Sequence, residues 1–308
     1  MVKKVNEITK RILNKIGDPE LAKKLASLSQ SDLNTFLLEV MKQKNISPPN
    51  MLKSYALNRF CVPSSCDAID YHKYEIMLLE LAKSVGIKSV MLSPVAPFDN
   101  CSTFGCVDQN NIVSALRGTE VLADPTNMLA TIIADKIKNK ALDNSTATHF
   151  CTTARTTRAQ PLLSKNHFAH FGIFCIVSTV KDTGSYSSEK EILLKQLEYY
   201  KLLLLEKYHA KMSVTLRKRG GYTDTDGFFK RMSELIQTEL TDTPFSFDLD
   251  HENNNYYKGI NFKIYMEKGG ETLEIGDGGF VDWTQQMLCN KRERLLISGI
   301  GIERMMML

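Results

Sequence analysis

The sequence predicts an α+β fold: a largely antiparallel sheet flanked by helices, with a small N-terminal helical appendage. Three observations lead there. Strand-like segments follow one another closely, at 148–156 and 173–180, at 211–216, and at 261–267, 271–276 and 294–298, so hairpins and antiparallel pairing are expected. Helical periodicity separates them, with Met77, Leu78, Leu81 and Val85 on one side of 70–86, a second helix at 126–139 and a long Leu-rich helix at 187–206. Finally, 308 residues at 43% hydrophobic content are enough for one large core plus an appendage. The division expected is a helical appendage over residues 1–48 and a main domain over 49–308.

The appendage reads as short amphipathic helices. Val5, Ile8, Ile12 and Ile16 recur at helical spacing, and Asp18-Pro19 restarts a helix carrying Leu21, Leu25 and Leu28. Ser31 is the expected cap of the next helix, whose apolar side is Leu33, Phe36, Leu37 and Val40. Asn45 to Pro49 breaks the pattern. In the main domain, Ser89 to Leu92 reads as a strand that stops at Pro94, and a terminal helix is expected from about Ile302.

Charge and composition narrow the function. A formal net charge of +4 is far from that of a dedicated nucleic-acid arm. No apolar stretch is long enough for a membrane span, and charges interrupt the first residues too often for a signal peptide, so a cytoplasmic location with reduced thiols is expected. Cys61 and Cys66, and likewise Cys101 and Cys106, are spaced C-x4-C; the four read either as a tetrahedral zinc set or as free thiols.

Two segments carry chemistry. The stretch LLISGIGIERMMML runs a β-branched strand into Gly299 and Gly301, then into a helix with Glu303 and Arg304. Glycines admit a ligand close to the backbone, and an arginine supplies a planar cation for phosphate oxygens. In HFCTTARTTRAQPLLSKNHFAHFGIFCIVST, Arg155 ends one strand and Phe168 opens the next across a loop enriched in cations by Arg158, Lys165 and His167. Arg155 suits a phosphate, and Phe168 offers a plane for a base.

The order of these segments resembles the three signature motifs of class II aminoacyl-tRNA synthetases, closest to the histidyl type. YEIMLLELAKSVGIKSVMLSPVAP, ending near Pro94, is similar to the first motif, the Arg155 hairpin to the second and GIGIERM to the third. Between them, TEVLADPTNMLATIIAD, NNNYYKGINFKIY and EIGDGGFVDW resemble the amino-acid-contacting turn and helix, the tyrosine-rich stretch and the glycine-rich strand end of the histidyl enzyme. The resemblance covers residues 70–308. It implies that Arg155 and Arg304 are the catalytic arginines on the ATP phosphates, Phe168 the adenine platform, and Asp124 and Thr126 the holders of the substrate ammonium group. It also implies that Tyr256 and Tyr257 line the amino-acid pocket and that Glu274 and Asp277 bind Mg²⁺, with Glu274 beside the ATP.

There are departures. Thr157 stands where the second motif has a glutamate, and Glu252, Asn253, Asn254 and Asn255 stand where the histidyl enzyme has an arginine before its paired tyrosines. The third motif's helix is the last feature read in the sequence, so an anticodon-reading domain is not expected. The resemblance thus implies ATP- and Mg²⁺-dependent activation of an amino acid or similar small carboxylate as an acyl-adenylate, by a homodimer, without specific tRNA binding. The alternative it implies is a non-catalytic, ligand-sensing subunit that docks on a protein partner, as for ATP phosphoribosyltransferase.

Overall fold

The structure, a computed structural model, describes residues 6–44, 46–161, 168–248 and 255–308. Val5, Asn45, Lys165, His167 and Glu252 to Asn254, on which expectations fell, lie outside the described residues.

Four helices come first: α1 (Glu7–Ile16), α2 (Leu21–Ala26), α3 (Gln30–Lys42) and α4 (Pro48–Leu57). Gly17 ends α1 in a left-handed conformation, and its N–H is donated to the Leu13 carbonyl. Ser29, rather than Ser31, caps α3, its hydroxyl accepting the Asp32 N–H. Both serines are chemically suited to the role; the helix starts early enough that only the first is outside it. None of the four helices has a buried residue. Pro48 and Pro49 lie in the first turn of α4, so a helix starts where the sequence pattern breaks.

The main body opens with α5 (Ala68–Ser84), capped by Asp67, and continues through β1 (Lys88–Ser89), β2 (Val95–Pro97), α6 (Asn100–Thr103), β3 (Ser114–Ala115) and β4 (Thr119–Val121). The strand expected at Ser89 to Leu92 is only two residues long, because the chain leaves the sheet before Pro94. Then come α7 (Pro125–Lys138), β5 (Thr148–Thr157), β6 (His170–Lys181), α8 (Ser187–Tyr208), β7 (Lys211–Lys218), α9 (Thr225–Glu239) and β8 (Phe245–Asp248). The last elements are β9 (Lys258–Lys268), β10 (Glu271–Val281), α10 (Trp283–Leu288), β11 (Glu293–Gly301) and α11 (Ile302–Met306).

Eight strands form one sheet in the order β1-β5-β6-β11-β10-β9-β7-β8. Its inner ladders are antiparallel, and only the edge strands β1 and β8 pair in parallel. A second, small sheet has the order β2-β4-β3. Both faces of the large sheet are covered. On one, α5, α8 and α9 bring Leu78, Leu197, Tyr199, Leu203 and Met232 onto Phe174, Ile176, Phe262 and Leu296. Each such fully buried side chain contributes about 1.5–3 kcal/mol. On the other, α7 and α10 bring Leu129, Ile133 and Trp283 onto Phe150, Cys175, Val177 and Ile297. Gln196 of α8 registers the layers: its side chain donates to Ser178 Oγ at 2.8 Å and accepts from Ser298 Oγ at 2.6 Å inside the core. The second face is only partly covered, and the uncovered part holds the candidate site.

Candidate functional site

A cavity of about 1090 Å³ opens on the α7 face of the sheet. Its floor is the end of β11. Gly299 and Gly301 share a face, two residues apart, and a Cβ added to either would meet nothing nearer than 3.4 Å and 3.8 Å respectively. The floor is flat because side chains are missing where there is room for them, which leaves the backbone open to a ligand. Next to it, the glycines of β10 have the opposite reason. A Cβ on Gly276 would lie 2.2 Å from the Gly299 carbonyl oxygen, and one on Gly279 would lie 2.5 Å from the Tyr257 ring. Of these neighbours in β10, Asp277 carries the side chain that reaches the cavity.

The small sheet sets the opposite wall. The Leu122 N–H donates to the Pro94 carbonyl, and the Leu122 carbonyl accepts the Thr157 N–H at 2.9 Å, which ties the hairpin to the end of β5. Asp124 follows as the N-cap of α7. Its Oδ1 accepts the Thr126 N–H at 2.9 Å and the Thr126 hydroxyl at 2.7 Å, while Oδ2 accepts from the Tyr256 hydroxyl at 3.4 Å. Tyr256 rests edge-on against Trp283, with ring centroids 5.4 Å apart, and Tyr257 donates to Asp277 Oδ2 at 3.1 Å. The adjacent tyrosines thus each hold one of two aspartates.

Two arginines face the same space. Arg158 donates through Nε to the Ala123 carbonyl at 3.0 Å, and its guanidinium lies 5.3 Å from the centroid of the Phe171 ring. Arg304 is exposed, and among the described residues its one hydrogen bond is donated to the Glu274 carbonyl, at 3.3 Å. Among the described residues, no carboxylate pairs with either one. Phe168, half exposed, completes the rim. Burial pushes the Asp277 carboxyl up, an effect deepened by the negative charges of Glu274 and Asp124 and opposed by the Tyr257 hydroxyl. Burial likewise pushes the Tyr256, Tyr257 and Cys101 groups up, so all three are protonated at neutral pH. Glu274 pairs with Lys263 at 2.5 Å through one oxygen, and Asp277 uses one oxygen on Tyr257. Each carboxylate keeps its other oxygen, the donor type Mg²⁺ takes beside phosphates.

No protein-family model and no curated protein matches the sequence. Solved structures do. ThrRS-1 of Aeropyrum pernix, assigned as a threonyl-tRNA synthetase, is similar over 75% of this chain and 57% of its own, at 12% identity and a TM-score of 0.59. The histidyl-tRNA synthetase of Staphylococcus aureus is similar over 80% and 72%, at 11% identity and 0.57. A Bacillus halodurans chain described as an ATP phosphoribosyltransferase regulatory subunit/histidyl-tRNA synthetase is similar over 80% of both chains, at 13% identity and 0.54. The fold is that of class II aminoacyl-tRNA synthetases. This chain spans little more than half the length of the Aeropyrum protein.

Within the class II fold, the cavity gathers Asp124, Thr126, Phe168, Tyr256, Tyr257, Glu274, Asp277 and Arg304. It does not gather Arg155. Residues of β5 alternate between faces, and the register pairs Arg155 with Gly172 and Thr156 with Phe171. Thr156, Arg158 and Phe171 therefore share the cavity face, while Arg155 points through to α5, over the Tyr71 ring at 5.3 Å and onto Glu303 at 3.0 Å. Arg158 and Phe171 are the residues whose site role the sequence reading missed, because β5 is covered on both faces and its alternation has no polar side. Thr157, in the motif's glutamate position, is on the Arg155 side.

Nor do the four cysteines converge. Cys61 and Cys66 line a second cavity, of about 1020 Å³, while Cys101 is buried at the first. Among the described residues, no set of three or more His, Cys, Asp or Glu side chains is arranged to hold a metal, and no helix is long and apolar enough to cross a membrane.

Proposed function

We propose that this chain binds ATP with Mg²⁺ and activates the carboxylate of an amino acid, or of a similar small acid, as an acyl-adenylate. The observation that carries the reading is the shared cavity: two unpaired arginines, Arg158 and Arg304, face it together with Asp124, Thr126, Tyr256 and Tyr257, over a floor bared by Gly299 and Gly301. Asp124, fixed by its cap bonds and by Tyr256, would take the substrate ammonium group. Phe168 and Phe171 offer apolar planes for the adenine. The carboxylate oxygen attacks the α-phosphorus in line, and pyrophosphate leaves. An ionised carboxylate needs no general base, so the protein's part is alignment and cationic stabilisation of the phosphate oxygens. Mg²⁺, held through Glu274 and Asp277, would neutralise phosphate charge. Titration calorimetry with Mg-ATP tests the nucleotide half: heats of binding that vanish when Arg158 and Arg304 are both changed to Ala are expected, and equal binding by the double variant contradicts it.

A second reading, a ligand-sensing subunit acting on a protein partner, is favoured by one observation. The Bacillus halodurans regulatory subunit/histidyl-tRNA synthetase chain is matched over 80% of its length and of this one. Under either reading the chain works as a homodimer. In support, Met91 is 99% exposed beside β1, a two-residue edge strand, and α5, which packs on β1, exposes Ile69 and Ile76. Light scattering at micromolar concentration is expected to give twice the chain's mass; a monomer rules this out.

A further inference from the structure

We infer that Arg155 is a positioning residue which, gripped by a neutral His170, fixes the first turn of α11 and through it the aim of Arg304. Its consequence for ATP rests on the function proposed above; its geometry does not.

The relay has five members. Arg155 donates from Nη1 to Glu303 Oε1 at 3.0 Å and from Nη2 to His170 Nδ1 at 2.6 Å. His170 Nε2 meets the Val62 carbonyl. The other oxygen of Glu303 accepts the Gly172 N–H at 2.8 Å. These partners settle the state of the imidazole. A carbonyl only accepts, so Nε2 carries the proton; a guanidinium only donates, so Nδ1 carries a lone pair. His170 is therefore the neutral Nε2–H tautomer. A second proton, on Nδ1, would oppose donor to donor and cation to cation at contact distance, and the Arg155 bond would open.

Other charged and titratable groups surround the pair. Glu303 approaches from α11. Tyr71, His72 and Glu75 approach from α5, where His72 and Glu75 are paired at 2.8 Å, and Cys61 and Cys66 lie on the loop that carries Val62.

The relay bears on the nucleotide side because Glu303 is one of the anchors of α11, beside the buried Ile302 and Met305 and the Tyr208 hydroxyl that donates to the Met305 carbonyl. The helix is five residues long and has no side-chain cap. Glu303 is 7% exposed and directly precedes Arg304, whose one hydrogen bond among the described residues is the long one to the Glu274 carbonyl. Loosening Glu303 at its Arg155 side shifts the residue that carries Arg304 into the cavity. The relay also starts at the wall of the second cavity, which Val62, Arg155 and His170 line, so the two faces of the β5–β6 hairpin are joined through it.

The test uses two variants of the full chain. In His170→Gln the carboxamide oxygen can accept from Arg155 while its NH₂ donates to Val62, with no charge to gain. His170→Ala removes both bonds. Mg-ATP affinity is measured alongside hydrogen exchange of the Gly172 amide. His170→Gln is expected to match the wild type in both, and His170→Ala to bind about tenfold more weakly, the loss of a typical charge-assisted contact, with faster Gly172 exchange. A His170→Gln variant that falls as far as His170→Ala, or a His170→Ala variant with wild-type affinity and exchange, overturns the inference. A wild type that binds no ATP contradicts the nucleotide reading instead; the Gly172 exchange of the two variants then decides the relay.

Discussion

Arg304→Ala is expected to weaken Mg-ATP binding by about 10- to 100-fold while leaving the thermal midpoint nearly unchanged. The side chain is exposed, unpaired among the described residues and in contact with one carbonyl at 3.3 Å, so its truncation removes little from the fold. Exposed substitutions of this kind stay within about 0.5 kcal/mol. A charge-assisted hydrogen bond to phosphate is worth about 1.5–3 kcal/mol, which gives the expected factor. Arg158→Ala should match the loss in affinity but also cost stability, since Arg158 anchors to the Ala123 carbonyl and lies against Phe171. Calorimetry and thermal denaturation on the same samples separate the two effects. Unchanged affinity with a large fall in melting temperature would make Arg304 a structural residue.

The second large effect belongs to Asp124. Asp124→Asn is expected to lower amino-acid affinity by about 100-fold and leave Mg-ATP affinity within about threefold, because removing one partner of a largely desolvated charge pair costs roughly 2–5 kcal/mol. Asparagine keeps the oxygen that caps α7 at the Thr126 N–H, so the helix is retained. Asp124→Ala removes cap and charge together and should cost about 1 kcal/mol of stability in addition. Equal loss of amino acid and nucleotide in Asp124→Asn would mean that the carboxylate shapes the whole cavity rather than one end of it.

Much of this was legible from residue order. The Leu-rich stretch of α8 and the apolar spacing of α5 and α7 follow from periodicity, because each helix covers one face of a sheet and is selected for a single apolar stripe. The hairpin β5–β6 and the strands β9 to β11 followed from adjacency. β10 was read five residues too short, since Gly276, Asp277, Gly278 and Gly279 look like a loop. All four are strand residues, and Gly276 and Gly279 lack side chains because the Gly299 carbonyl and the Tyr257 ring leave no space. α9 was not read as a helix: its first turn contains Gly227, and Asp224 holds that turn by accepting the Gly227 N–H.

The site divided in the same way. Asp124, Thr126, Tyr256, Tyr257 and Asp277 reached one cavity from segments far apart in the chain, as their order suggested. Arg155 did not. Because β5 is covered on both faces, its alternation gives no polar side, and nothing in TTARTTRA says which parity meets the cavity. Only the partner strand, with Phe171 opposite Thr156, settles that Arg158 is on the cavity side. The separation of Cys61 and Cys66 from Cys101 onto different cavities was hidden for a related reason: equal spacing within each pair carries no information about the sheet that lies between them.

The central claim is adenylation, and ATP–pyrophosphate exchange screened across the amino acids tests it most directly. Exchange of labelled pyrophosphate into ATP requires a reversible acyl-adenylate, so it reports the bond proposed here without an acceptor having to be known. Exchange that depends on one amino acid and on Mg²⁺, and that falls by at least about tenfold in Arg304→Ala, is the result predicted. No exchange with any amino acid, alongside measurable binding of one of them to the same protein, would contradict adenylation and leave the ligand-sensing subunit as the reading.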